Sequence, residues 1–98
     1  MPLTSKQRSF LRSQAHHLKP VVTLGSAGLT EGVMNEIKLA VEHHELIKIK
    51  IHTGDRDELK EAAEQISKKA NSELVQIIGH IAIIYRPAKK PVIKLPNK

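Results

Sequence analysis

Apolar and polar residues recur along this chain with two different periods, and the changes of period mark out seven elements. Phe10, Leu11, Ala15 and Leu18 fall on one side of a helix, and Thr4-Ser5-Lys6-Gln7 signals its start as a capping box, in which hydroxyl and amide each satisfy the other's backbone N–H. The spacing predicts a helix from there to about His17. Lys19-Pro20 closes it, because the residue before proline is pushed out of helical geometry. Arg8, Arg12 and His16, four apart, form a second stripe on the same helix. Val21 to Leu24 is a short strand-type run. Thr30 caps a second helix with Glu31 at its first position, Leu29 and Met34 as a hydrophobic staple, and Val33, Ile37, Ala40 and Val41 as the buried stripe. That helix ends near His43 or His44.

Leu46 to Ile51 reads L-I-K-I-K-I. This period of two puts Ile47, Ile49 and Ile51 on the core side of a strand and Lys48 and Lys50 opposite, on a solvated or basic face. Asp55-Arg56-Asp57-Glu58 reads as another capping box. It opens a third helix with Leu59, Ala62, Ala63, Ile66 and Ala70 at helical spacing and Asn71 as its C-terminal cap. Leu74 to Ile78 and Ile81 to Arg86 are strands joined by Gly79-His80, which suits a type II′ hairpin. Beyond them Pro87, Pro91 and Pro96 favour an extended tail, with Val92, Ile93 and Leu95 able to fold back.

The order helix, strand, helix, strand, helix, strand, strand predicts one α/β domain over residues 1–87, followed by a basic tail over residues 88–98. Each strand-helix-strand step asks for a right-handed parallel crossover, while the last two strands pair antiparallel. The sheet is therefore four-stranded and mixed, with three helices. Strand order does not follow from the pattern. Ninety-eight residues suffice for one core.

Composition then removes whole classes of chemistry. There is no cysteine, which excludes disulfides, thiolate zinc sites, iron–sulfur clusters and cysteine nucleophiles and agrees with a reducing, cytoplasmic location. The longest apolar run, Ile81 to Tyr85, falls far short of the roughly 20 residues of a membrane span, and the N-terminus lacks the apolar core of a signal peptide. No membrane association is expected.

Charge is unevenly placed. The formal net charge of +6 divides into +4 over residues 1–30, −3 over residues 31–85 and +5 over residues 86–98, and both ends lack acids entirely. Two basic flanks suit a polyanion, since neutralising phosphates releases condensed counterions. Charge placed for solubility is the plainer alternative. Phe10 and Tyr85 are the only Phe, Tyr or Trp rings, too few for an RRM sheet or a stacking OB-fold groove, so backbone and shape recognition is expected.

Gly25-Ser26-Ala27-Gly28 stands between a strand and a helix N-terminus, where glycines permit close approach and free N–H groups face whatever docks. A GxxG loop clamping a nucleic-acid backbone is the device of KH domains. The same pattern also serves as a tight turn. Neither Ser26 nor Ala27 is basic, and Glu31 offsets the helix dipole, so attraction must come from Lys19, the Arg8/Arg12 stripe and the tail.

The run LGSAGLTEGV, then HHELIKIKI, then DR opening the third helix, then VQIIGHIAIIYRP, resembles the CRM domain, the chloroplast RNA splicing and ribosome maturation module, in its free-standing bacterial YhbY form. The resemblance runs from about Leu3 to Pro87 in four ordered blocks. It implies an RNA-binding fold similar to the C-terminal domain of translation initiation factor three, with GxxG as an RNA contact. Bacterial members look like factors associated with precursors of the large ribosomal subunit. CRM loops in plant splicing proteins often carry a base inside GxxG; its absence here moves the expected grip to flanking bases.

The expected RNA contacts are thus Gly25, Ser26, Ala27 and Gly28, with Lys6, Arg8, Arg12, Lys19, Lys48, Lys50, Arg56, Arg86, Lys89 and Lys90 around them. His16-His17 and His43-His44 are adjacent pairs pointing about 100° apart on a helix, unlike the i, i+4 geometry of a helical zinc site, so no metal or other cofactor is expected. No catalytic triad or carboxylate pair is suggested by spacing, and neither an enzyme nor a small-molecule substrate is expected. The expectation is a monomeric, non-enzymatic protein that binds ribosomal RNA during large-subunit assembly. The rivals are an Alba-type architectural nucleic-acid protein and a protein-interaction module with basic arms.

Overall fold

The structure, a computed structural model, describes residues 3–25 and 28–97. Helix α1 spans Ser5–Ala15 behind the expected capping box: Gln7 N–H donates to Thr4 Oγ1 and Thr4 N–H to Gln7 Oε1, both at 3.1 Å. It stops two residues short of His17. His16 N–H turns to Ser13 O and Leu18 N–H to Ala15 O, the tightened bonding of a last turn, and this leaves Leu18 exposed rather than on the helix's apolar side.

Strand β1 (Val22–Leu24) leads to α2 (Glu31–His44), where Thr30 Oγ1 caps Val33 N–H and Leu29 packs against the core containing Met34. Strand β2 (Leu46–Ile51) precedes α3 (Arg56–Lys69). The reciprocal box expected at Asp55 does not form. Asp55 Oδ1 accepts from Asp57 N–H at 2.8 Å, but Thr53 Oγ1 donates to Glu58 Oε2 at 2.8 Å and accepts Asp55 N–H at 3.3 Å. That hydroxyl stands between the two groups the box would join. Asn71 follows the C-cap residue Ala70 with φ 52°, a left-handed helix stop that asparagine tolerates. In the hairpin between β3 (Glu73–Ile78) and β4 (Ile81–Tyr85), Gly79 has φ 58° while His80 keeps negative φ, as a type II′ turn requires.

The sheet order is β1-β2-β4-β3. β1 runs parallel to β2, pairing Thr23 with Lys50, and β4 is antiparallel to both β2 and β3. β2 and β3 therefore point the same way without touching, and the last strand inserts between them. Its sequence explains the placement. Ala82 and Ile84 face one side and Ile83 and Tyr85 the other, all at most 2% exposed, and only a central strand covers both faces of an apolar run.

Each face carries its own core. Against α2 and α3 lies a continuous layer in which Ile37, Val41, Ala63 and Ile66 meet Ile47, Ile49, Ile51 and Ile84. The opposite face holds a smaller cluster of Leu3, Leu11, Ala15, Leu46, Val75, Ile83 and Tyr85, covered by α1 and by Ile93 and Leu95 of the tail. The Lys48 side of β2 is thus part-roofed by a helix, not an open sheet surface.

The tail is fastened chiefly by one acid. Glu45, between α2 and β2, has φ 63° and is 3% exposed. Its Oε1 accepts Val92 N–H at 2.7 Å and Ile93 N–H at 3.2 Å, and its Oε2 accepts Ala88 N–H at 3.2 Å. Backbone held at positive φ in a residue that carries a Cβ costs of order 1–3 kcal/mol, which three charge-assisted bonds offset. Gln7 Nε2 donates to Pro96 O at 3.2 Å, further along the tail.

Candidate nucleic-acid interface

Folding turns a division of charge along the chain into a division across the sheet. Of ten acids, eight lie on α2, on α3 or at its N-cap: Glu31, Glu36, Glu42, Asp55, Asp57, Glu58, Glu61 and Glu64. The other two, Glu45 and Glu73, flank the end of the sheet where β2 starts. Helix α1 has no acid, and Lys48 and Lys50 lie on its side of the sheet, which Ile93 and Leu95 of the folded-back tail help to cover. One side of the molecule is basic.

The residues expected to bind RNA fall into three groups on this frame. The first sits at the end of the sheet where β1, β2 and β3 finish. There Gly28 N–H donates to Gly25 O at 3.0 Å, and Gly28 has φ 75°. A Cβ on either glycine would meet nothing within 4 Å, so the backbone at the entrance to α2 is open. Ser26 and Ala27 lie outside the described residues. Arg56, first in α3, is exposed beside Gly79 and His80 at the same end, and Lys50 is exposed one row in, paired with Thr23 and Ile81.

The second group borders α1. Arg8 does not reach outward: its Nη1 donates to Leu74 O and, at 3.0 Å, to Val75 O. These carbonyls belong to the irregularity in β3 where the register shifts between Leu74 and Gln76. The guanidinium thereby satisfies carbonyls that a bulge takes out of the ladder. Arg12 is exposed, with Nη1 3.3 Å from Gln76 Oε1. Together with Lys48, His16 and His17 it borders a cleft between α1 and the sheet, floored by Ile78 and Ile83. Lys6 is exposed on the first turn of α1.

The third group is at the far end. Arg86, Lys89 and Lys90 surround a hollow with Glu42 and Pro87, beyond the end of β4. Lys19 precedes β1 and so stands at the opposite end of that strand from Gly25. A six-residue strand is about 20 Å long, and the molecule measures 39 × 24 × 23 Å. The three groups are brought to one side and both ends of the sheet, not to one spot. A ligand touching all of them must be a macromolecule.

Sequence reasoning missed the cleft and the Glu45 clamp. A signal for the first was available: Leu46, Ile81, Ile83 and Tyr85 are apolar at positions facing away from the isoleucine core, which requires a cover on that side. Nothing in the sequence distinguishes Glu45 from an ordinary helix-end acid. Burial raises the Tyr85 phenol above its ordinary pKa, and the neighbouring Glu45 charge adds to the shift. No helix among the described residues is long and apolar enough to cross a membrane, and no group of three or more His, Asp or Glu among them is placed to hold a metal ion.

Comparison with known proteins adds the following. The family model of the CRS1 / YhbY (CRM) domain matches residues 3–86. A Haemophilus influenzae protein named "RNA-binding protein" is 48% identical over 96 residues, 98% of this chain and 97% of the relative. A Bacillus subtilis protein named "Probable RNA-binding protein YqeI" is 38% identical over 95 residues, 96% of this chain and 99% of the relative. The solution structure of a hypothetical Staphylococcus aureus protein superposes with a TM-score of 0.85 at 41% identity, over 97% of this chain and all of that one.

Proposed function

The chain belongs to the CRS1/YhbY (CRM) domain family, whose bacterial relatives are named RNA-binding proteins, and from this membership we propose that it binds structured ribosomal RNA in precursors of the large subunit. It acts there as a non-enzymatic assembly factor, as a monomer and in the cytoplasm. The observation that carries the reading is the segregation of charge: acids outnumber bases on α2 and α3, whereas α1 and the strand β2 carry bases and no acid. Such a one-sided field steers and holds a polyanion and needs no base-specific contact. The groups' separation by a strand length favours a folded RNA over a short strand. Gly25 and Gly28 supply a bare backbone at one end of the track, where a phosphate can approach the first turn of α2. The ribosomal assignment rests on the family resemblance.

Sedimentation tests it. The protein should travel with large-subunit precursors from a cell extract, less with mature subunits, and leave them after nuclease treatment or at raised salt. Association that survives nuclease would instead favour a protein-interaction module with basic arms.

A further inference from the structure

The cleft beside α1 suits a more specific ligand than a phosphate backbone. Its volume is about 360 Å³, within the range of clefts that hold small organic groups. Arg12 and Lys48 supply two cations, and Ser9 and Ser13 supply hydroxyls along the helix. Ile78, 48% exposed, and Ile83 beneath it provide an apolar floor. His16 and His17 meet edge to face at the cleft, ring centroids 5.3 Å apart and planes at 80°. No acid lines it.

Rings matter here because bases are bound through their faces. Phe10 is half-buried against the α1-side core and Tyr85 is 2% exposed, and neither ring lines the cleft. The exposed rings among the described residues are imidazoles, and imidazole is among the groups on which unpaired bases stack. Of these, His16 and His17 are the pair that borders a cationic cleft.

We infer that this cleft takes a single unpaired nucleotide of the bound RNA, its base against His16, His17 and Ile78 and its phosphate between Arg12 and Lys48. The inference rests on the RNA-binding reading and sharpens it: backbone contacts along the basic side supply affinity, and this cleft selects for a nucleotide displaced from a helix. An acidic peptide could satisfy the two cations but leaves the rings and the isoleucine floor without a counterpart.

Two hairpin RNAs separate the contributions: one with a six-nucleotide loop, the other identical but with abasic loop residues, so that stem and phosphate charge are the same. The protein should bind the base-bearing loop roughly tenfold more tightly, the scale of one stacked base. His16→Ala/His17→Ala should bring that hairpin down to the abasic level and leave abasic binding unchanged, with the fold checked by circular dichroism. Ile78→Ser, on a different element, should produce the same selective loss. Arg12→Gln/Lys48→Gln should weaken both hairpins alike. Equal binding of the two hairpins by the unsubstituted protein, or a preference that survives in the histidine and Ile78 variants, overturns the cleft while RNA binding stands. Failure to bind either hairpin at low salt overturns RNA binding itself.

Discussion

The two faces of this sheet solve different problems with the same four strands. On the α2/α3 face, Ile47, Ile49 and Ile51 run unbroken into Ile37, Val41 and Ile66, and the helices show solvent a mainly acidic exterior. On the α1 face, β2 contributes Leu46 and then Lys48 and Lys50. There the core is smaller, is completed by a tail from the far end of the chain, and gives way to cations before the sheet ends. Strand alternation makes the difference possible. One set of side chains on β2 holds the domain together while its neighbours, one residue away, are free to carry charge at no cost to packing. The proposed recognition is thereby concentrated on the less heavily packed side.

The sharpest way to break this contrast is to attack the continuous core. Ile37→Ala removes a fully buried side chain between α2 and the sheet and should cost about 3 kcal/mol of stability, measured by urea unfolding. The second core depends on its strap. Glu45→Gly deletes the carboxylate that accepts three tail N–H groups while relieving the positive φ, so the net loss is the clamp's contribution less the strain it held. It should cost about 2 kcal/mol and raise hydrogen exchange in residues 88–97, with little change in α2 and α3. Binding separates the faces by charge. Lys48→Glu should weaken RNA binding roughly tenfold, or about 1.4 kcal/mol. Lys60→Glu makes the same change of net charge on α3, and an equal loss in a filter-binding assay would show that only total charge matters. The smallest effect is alkaline. Because the folded state holds the Tyr85 phenol above its ordinary pKa by burial and then by Glu45, its contribution is complete below the unfolded value near 10 and is lost as pH rises through the folded one. Unfolding followed above pH 10 should show stability falling with pH, and Tyr85→Phe should flatten that fall.

Most of the architecture was legible because it is written in local periods. The L-I-K-I-K-I strand, the Thr4 capping box and the Gly79-His80 turn depend on neighbours in sequence, and each appears as expected. What local pattern does not encode is which face of a strand meets which distant element. Arg8 and Arg12 were legible as one stripe, yet Arg8 is tied to the β3 bulge through backbone carbonyls, while Arg12 meets the side chain of Gln76 further along β3 and borders the cleft. The Asp55 cap shows the same limit at short range, where Thr53, two residues upstream, captured the Glu58 carboxylate. The candidate site depends on such long-range meetings, so its residue types were legible and their grouping was not.

The Glu45 carboxylate grips the tail through main-chain N–H groups and, among the described residues, bonds none of its lysine side chains. A clasp of this kind does not read the letters it holds. Lys89, Lys90 and Lys94 are therefore interchangeable parts: swapping them for arginine, glutamine or a chemical label should leave the strap seated, provided Ile93 and Leu95 still pack. The C-terminal segment is in effect a mount whose cargo of charge can be retuned without renegotiating the fold.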